Sequence, residues 1–416
     1  MEPIILKRNR ELYKIGNYLR EGGYEALRKA LTLEPDTVVD MVKRSGLRGC
    51  GGAGFPAGAK WGFVPKVPGQ KYLCCNGDEG EPGSFKDREI MEEHPHLLLE
   101  GINITCHAIG ADTAYLYVRG EYCKAIERIE AALNEAEEKR RLSAKVLVHR
   151  GAGAYICGEE TALLESLEGR RGMPRLRPPF PAVSGLYGRP TVINNVETLS
   201  YVPHIILNGP EKFSSFGVGK SRGHKIFSVS GDVNRPGNYE VTFGITLRQL
   251  IYDHAGGIKG NKRLKAVIPG GASAPILSPE HLDISMDFES LSQAGSMLGS
   301  GGIIVMDEET CMVKVASVLS RFYYHESCSK CTPCREGTYW LKSILERVEG
   351  GEGVQGDVET LQRVCGRMAG RCFCALGEAA INPVLSSIKH FREVYDYHIR
   401  ERRCMGNSQK RMKIML

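Results

Sequence analysis

Hydrophobic positions recur with a helical period in some stretches of the chain and fill short unbroken runs in others, and the two kinds take turns. Residues 8–34 hold two short helical patterns, the first around Leu12, Ile15 and Leu19, and residues 36–44 read as a third helix. Apolar runs at 71–75, 113–118 and 145–149 read as buried strands. Helical stretches at 95–109 and 122–142 separate them, and a further helix is expected at 159–167. Strands alternating with helices predict a parallel α/β sheet. Functional loops in such sheets leave the carboxyl ends of strands, where the acid-rich turn 76–83 falls.

From about residue 225 the texture changes. Runs at 226–231, 238–242, 266–268 and 302–305, with one short helix at 246–254, predict a small β-rich module with small-residue loops at 270–273 and 293–302. No catalytic constellation stands out there, and packing and spacing are its expected roles. From residue 307 the pattern is helical. Met312, Val315, Val318, Leu319 and Phe322 form one apolar face, Tyr339, Ile344, Leu345 and Val348 a second, and Leu361, Val364 and Met368 a third. A fourth helix is expected over 377–400, with Pro383 as its start or a kink. This predicts a four-helix bundle and, at 401–413, a basic tail whose default reading is a solvated segment.

Composition narrows the class. A chain of 416 residues holds roughly two to four domains. Its 42% apolar and 25% charged content are ordinary for a globular protein. The net charge of +6 is mild for this length and gives no argument for nucleic acid. There is no signal-peptide pattern and no unbroken apolar stretch of ~18 residues, so no membrane span is expected. Fourteen irregularly spaced cysteines without a secretion signal point to metal or redox chemistry rather than disulfides.

Six of the sixteen residues at 46–61 are glycine, and the stretch ends in Lys60-Trp61 with Phe55 before and Phe63 after. Bare N–H groups can cradle phosphate oxygens, Lys60 adds positive charge, and Phe55 and Phe63 can stack on a flat base. A flexible linker is the bland alternative, but linkers rarely carry Ala, Phe and Pro in place of Ser. Gly49, Gly51 and Gly54 match G-x-G-x-x-G, yet a helix rather than a strand precedes them, so the ordinary dinucleotide context fails. Downstream, Gly151-Ala-Gly-Ala-Tyr-Ile-Cys-Gly158 opens a helix, a ready anion site. Glu159 and Glu160 in its first turn can serve a ligand or simply favour the helix dipole, and Tyr155 can be a core tyrosine. Asn194 and Asn195 can bond a heterocycle or ribityl chain, or serve as turn residues.

The sharpest signal is Cys328-Ser-Lys-Cys331-Thr-Pro-Cys334. Three thiols at this spacing can reach three irons of one cubane, with a fourth from elsewhere, Cys372 or Cys374 being candidates. Zinc normally uses two separated pairs. Cys311, Cys365 and Cys404 show no such pattern and are expected as packing or surface thiols.

These motifs together (46–61, 76–81, 151–161, 191–198 and 326–337) resemble the NADH-oxidising, flavin-carrying subunit family of respiratory complex I. The resemblance covers nearly the whole length, with five motifs in order. It implies an α/β fold with a Rossmann-like FMN- and NADH-binding domain at 1–222 that includes the N-terminal helices. A ubiquitin-like β-grasp module of SLBB type is implied at 223–306. A helical iron–sulfur domain of four-helix-bundle type, with the basic tail, follows at 307–416. It implies FMN against Gly49, Gly51, Gly52, Lys60, Asn76, Asp78, Glu79, Gly158, Glu159, Asn194 and Asn195. NADH falls to Phe55, Lys60, Phe63, Glu81, Tyr155, Glu160 and Phe180, with Glu81 the catalytic candidate, positioning the nicotinamide rather than acting as a base. A [4Fe-4S] cluster falls to Cys328, Cys331, Cys334 and Cys374, because Cys374-Ala-Leu-Gly resembles the family segment.

The implied partners are the thioredoxin-like [2Fe-2S] subunit and the large iron–sulfur subunit of complex I, with electrons going on toward quinone. The implied location is cytoplasmic, peripheral on the cytoplasmic side of the inner membrane. Cys50 departs from the family, which usually has arginine there. The alternative is the diaphorase subunit of a soluble NAD-linked hydrogenase or formate dehydrogenase, though the extra domains common in those chains are missing here.

Overall fold

The computed structural model describes residues 3–8 and 10–405. The chain divides into two compact units: one made of residues up to Gly80 with Phe85–Phe227 and Asn238–Gly244, the other of Glu81–Ser84, Ser228–Gly237 and residues from Ile245 onward.

In the first unit, short helices α1 (Ile15–Arg20), α2 (Glu25–Ala30), α3 (Pro35–Ser45) and α4 (Ala57–Trp61) precede strand β1 (Tyr72–Gly77). Then come α5 (Lys86–Glu93), α6 (Pro95–Ile109), β2 (Thr113–Val118), α7 (Cys123–Glu138), β3 (Lys145–Arg150), α8 (Glu160–Leu167), β4 (Thr191–Asn195), α9 (Val196–Asn208) and α10 (Pro210–Ser214). The sheet runs β3-β2-β1-β4, all parallel. Its register sets Asn76 beside Asn195 and Cys75 beside Asn194, so β1 and β4 end together. The core joins Leu73, Leu116, Ile102, Leu199 and Val202, all fully buried.

The alternation of strands and helices was legible, but α5 and α9 were not expected. Helix α9 is buried on nearly every face, from Val196 to Ile206, so it has no polar stripe to betray a helical period, and Pro203 inside it reads as a breaker. Helix α5 is almost wholly charged and merges with the acidic turn before it.

Short strands β5 (Gly217–Val218) and β6 (Ser221–Arg222) form a hairpin before β7 (His224–Gly231) and β8 (Gly237–Thr242). In the second unit β9 (Leu264–Ile268), α11 (Phe288–Gln293) and β10 (Gly302–Asp307) follow. β10 pairs parallel with Ser228–Gly231 and antiparallel with β9. The expected bundle helices are α12 (Met312–Glu326), α13 (Thr332–Glu349), α14 (Asp357–Met368) and α15 (Leu376–Glu401). Ile268, Ile304, Met312, Val315 and Leu319 make one core from strands and α12. The break in α15 falls at Phe391, with φ −138° and ψ 34°; Pro383 lies inside the helix rather than at its start. The tail expected at 401–413 lies outside the described residues from 406 on.

Candidate functional site

The glycine stretch folds as a closed loop between α3 and α4. The Gly49 amide donates to the Phe55 carbonyl at 2.9 Å and Arg48 Nε to the Gly54 carbonyl at 2.6 Å. Gly52 has φ +145° and Gly54 φ +64°, conformations that side chains resist. A Cβ on Gly51 would lie 3.1 Å from Cβ of Asn195, and the Cys50 amide donates to Thr198 Oγ1 at 2.9 Å. The loop is thus laid against the end of β4 and the start of α9. The N–H groups of Gly51, Gly52 and Ala53 make no hydrogen bond to any described residue.

Two more turns meet this edge. Asn76 Oδ1 accepts from the Asp78 amide at 3.0 Å, and its Nδ2 donates to the Gly158 carbonyl at 2.9 Å. This stitches the β1 turn to the turn before α8. A Cβ on Gly80 would touch Tyr155 at 3.1 Å. Lys60 pairs with Glu160 at 2.8 Å, tying α4 to α8. Phe55 and Phe63 lie 6.0 Å apart at their centroids, and both are exposed, as is Phe180.

Several predicted side chains already have protein partners. Asn194 Oδ1 accepts from Trp61 Nε1 at 2.8 Å. Asn195 caps α9, accepting from the Glu197 amide at 3.0 Å, and donates to Asp87 at 2.6 Å. Glu159 caps α8, accepting from the Thr161 and Ala162 amides at 3.0 and 2.9 Å; the dipole reading of this residue is satisfied. Glu79 caps α5 through the Asp87 and Arg88 amides, both at 3.0 Å, and takes a bond from Tyr122. Burial and the nearby Asp87 push its pKa up. Glu81 belongs to the second unit, where one carboxylate oxygen accepts from the Ser273 amide at 2.7 Å and hydroxyl at 2.8 Å. The loop around Ser273, expected only to space strands, therefore holds a predicted site residue.

Beneath the edge of the sheet runs a buried charge chain that sequence reading missed. Lys86 pairs with Asp87 at 2.7 Å and Glu197 at 3.1 Å, and Glu197 pairs with Lys225 at 2.6 Å. All four side chains are essentially inaccessible. Burial opposes the Lys86 charge, but the Asp87 and Glu197 carboxylates outweigh it and raise its pKa. The available signal was Glu197 and Lys225 standing inside apolar runs. Arg177 was also missed; it pairs with Glu160 at 3.0 Å and Glu159 at 3.5 Å. Cys50 is buried in the core, and burial pushes its thiol up to about 12.

In the second unit Cys328, Cys331 and Cys334 surround the start of α13. Ser329 between them has φ +62°, rare for a side-chain residue. Ser327 Oγ lies 3.3 Å from Cys334 Sγ and accepts from the Ser329 amide at 3.3 Å. The 372–374 segment folds onto this loop: the Phe373 amide donates to Cys331 Sγ at 3.4 Å, and Lys330 Nζ sits 4.2 Å from the Phe373 ring centre. Cys372 lies among these thiols too. Its Sγ reaches the Met368 carbonyl at 3.5 Å and packs on Gly377, and burial pushes it up to about 12.

Residues 42–204 match the Nuo51 FMN-binding domain, 225–305 the SLBB domain and 314–398 the NADH-ubiquinone oxidoreductase-F iron–sulfur binding region. The F subunit (number 2) of the NADH-quinone oxidoreductase of Rhizobium meliloti is 54% identical over 97% of this chain and 99% of its own. The chain belongs to the F-subunit family of NADH-quinone oxidoreductases. The corresponding F subunit of Mycobacterium tuberculosis is 51% identical over 94% of this chain and 91% of its own. Among solved structures, a chain of an NAD+-reducing [NiFe]-hydrogenase in the air-oxidized state superposes with a TM-score of 0.83 at 38% identity, over 92% of this chain; this chain spans 65% of that one. Membership in the F-subunit family implies partner subunits. Among the described residues no helix is long and apolar enough to cross a membrane.

Both expected groups pass a chemical test of fit. The unpaired amides of Gly51, Gly52 and Ala53, beside exposed aromatic rings, suit an anionic, flat-ringed cofactor. A thiol-only donor set in two loops suits an iron–sulfur cluster.

Proposed function

We propose that this chain is the NADH-oxidising subunit of a complex I-type NADH:quinone oxidoreductase. The observation that carries the reading is the open glycine cradle at the carboxyl edge of a parallel sheet, in a chain that also bears a C-x2-C-x2-C triplet. Bound FMN would take a hydride from NADH and release the electrons singly to a [4Fe-4S] cluster, chemistry that belongs to the cofactors.

The chain's own part is binding and orientation. The Gly49–Gly52 backbone would receive the FMN phosphate, with Gly158, Asn76, Asp78, Glu79, Glu159, Asn194 and Asn195 shaping the rest of the cradle. Phe55, Phe63, Tyr155 and Phe180 would hold the NADH rings, Lys60 and Glu160 its polar parts, and Glu81 its nicotinamide. Cys328, Cys331, Cys334 and Cys374 would hold the cluster. The domain division 1–222, 223–306 and 307–416 follows the same reading. So do docking to the thioredoxin-like [2Fe-2S] and large iron–sulfur subunits and a place on the cytoplasmic face of the inner membrane.

The test is composition and turnover of the purified protein. One FMN, about four irons and NADH-dependent ferricyanide reduction are expected; a colourless protein with no iron and no acid-labile sulfide rejects the reading. The hydrogenase match favours a second reading, a diaphorase subunit of an NAD-linked hydrogenase. Co-purification from the native membrane separates the two, since quinone-reductase subunits come along only under the first.

A further inference from the structure

Three metal-ligating side chains outside the cysteine triplet converge where α12 begins and α15 ends. Cys311 immediately precedes α12, and His398 lies in the last turn of α15. Cys404 follows a reversal of the chain at Arg402, which takes φ +53°. That left-handed turn is uncommon for a residue with a side chain, and it carries Cys404 back toward His398. A Cβ on Gly351 would lie 2.4 Å from the Arg402 carbonyl oxygen, so a glycine after α13 makes room for the turn.

The ligand atoms of the three residues all lie within 4.8 Å of one another, and Cys311 Sγ is 3.3 Å from His398 Nε2. Zinc bonds of about 2.3 Å to sulfur and about 2.0 Å to nitrogen, at tetrahedral angles, set sulfur and nitrogen about 3.5 Å apart and two sulfurs about 3.8 Å apart. The observed separations suit that geometry. His398 is fully buried, while Cys311 and Cys404 are half-buried. The other ring nitrogen of His398, Nδ1, is buried and has no hydrogen-bond partner among the described residues.

We propose that Cys311, His398 and Cys404 form a second metal centre, a Cys2His site for a zinc-class divalent cation. It is separate from the cysteine loops of 328–334 and 372–374. The donor set is two thiolates and one imidazole, with water in the fourth place, a soft-to-borderline set that suits zinc over magnesium or calcium. Binding releases the two thiol protons to solvent and changes no oxidation state. The centre ties the chain after α15 to the start of α12.

The test uses the full chain, purified anaerobically with flavin and iron–sulfur cluster loaded, stripped with a mild chelator and titrated with zinc sulfate against a chromophoric competitor. One zinc per chain is expected, with up to about two protons released per zinc near neutral pH. Cys311→Ser and Cys404→Ser should each weaken binding at least roughly tenfold with iron content unchanged; Cys404, half-buried and beyond the last helix, is the safer substitution for folding. Cys365→Ser, a buried thiol outside the group, should bind zinc as the parent does. The proposal is overturned if the parent takes up no zinc, if Cys404→Ser binds it equally well, or if zinc uptake is lost only when a triplet cysteine is changed. Peptide mapping of the isolated protein that finds Cys311 and Cys404 joined as a disulfide overturns it as well.

Discussion

At the carboxyl edge of the parallel sheet nearly every predicted polar side chain is already bonded to the protein, whereas the cysteines of the two loops offer only the weak hydrogen bonding of thiols. Asn194 is held by Trp61, Asn195 and Glu79 by helix starts and Asp87, Glu159 by the α8 amides, and Glu160 by Lys60 and Arg177. Much of what stays open there is backbone and exposed aromatic surface. In the cysteine loops the thiols lie beside other thiols, Ser327, the Phe373 amide and the Met368 carbonyl. A thiol is a weak hydrogen-bonding group, so on the proposed reading those loops would gain definition from the cluster they hold. On that reading the first region is preorganised for its ligand, and the second would be completed by its ligand.

The largest expected effect tests the second half of that contrast. Cys374→Ser should cost the cluster outright, with iron falling toward zero, while the flavin unit still reduces ferricyanide with NADH. Iron analysis and low-temperature electron paramagnetic resonance check this. If Cys372→Ser removes the cluster signal and Cys374→Ser spares it, the fourth ligand is Cys372, whose sulfur also lies among the triplet thiols.

The cradle should yield to a change in backbone rather than in side chain. Gly52 has φ +145°, and alanine there carries strain of roughly 1–3 kcal/mol. If relaxing the loop spoils the cradle, FMN affinity of Gly52→Ala falls roughly 10- to 100-fold, with the helices intact by circular dichroism. Fluorescence titration of flavin-stripped protein measures it. An affinity within twofold of the parent would mean the loop does not grip the cofactor.

Legibility from sequence follows the same contrast. The cysteine triplet and the glycine run are local patterns, so both were readable. The bonds that organise the cradle connect residues far apart in the chain, as with Asn76 to Gly158 and Lys60 to Glu160, and no local pattern reports them. Helix α9 stayed hidden because burial on all sides erases periodicity. Cys311 and Cys404 looked like isolated thiols because Cys311 meets His398 only through the packing of α12 on α15, and Cys404 only through the turn at Arg402.

Acid should weaken the flavin-binding unit through buried imidazoles. Burial lowers His94 to about 4, with Lys7 and Arg8 adding to the effect and Glu89 and Glu240 opposing it. Burial likewise lowers His204 to about 4. The unfolded chain titrates near 6.5 and so binds more protons than the folded one between about pH 6.5 and 4. Stability is therefore full above that window and declines as pH falls through it, by up to ~2–3 kcal/mol for His94 and by less for the more solvent-screened His204. His94→Gln should flatten the decline in a thermal unfolding series from pH 7 to 4.5. An equally steep decline in the variant would assign acid sensitivity to other groups.

The smallest effect concerns Glu160 and the choice between NADH and NADPH. The 2′-phosphate of NADPH carries roughly −1.5 to −2 charges at neutral pH. A lone carboxylate about 5 Å away would repel each unit charge by about 3 kcal/mol at an effective dielectric of about 20. Glu160 is not alone, however: Lys60 lies at 2.8 Å and Arg177 at 3.0 Å. These two cations offset most of its field at the ligand, and salt screens the remainder in a partly open cleft. Glu160→Gln should then raise kcat/KM for NADPH by only roughly 3- to 10-fold, about 0.6–1.4 kcal/mol, with NADH changed less. The same substitution releases Lys60 and Arg177, so the double variant Glu160→Gln with Arg177→Gln is informative. It should return the NADPH/NADH ratio toward the parent value, because it removes one charge of each sign. If Glu160 only favours the dipole of α8, the single variant loses ~1 kcal/mol of stability or less and the ratio stays where it was. Steady-state kinetics with both nucleotides separate these outcomes, and a ratio unmoved in the single variant would reject a role for the Glu160 charge in that choice.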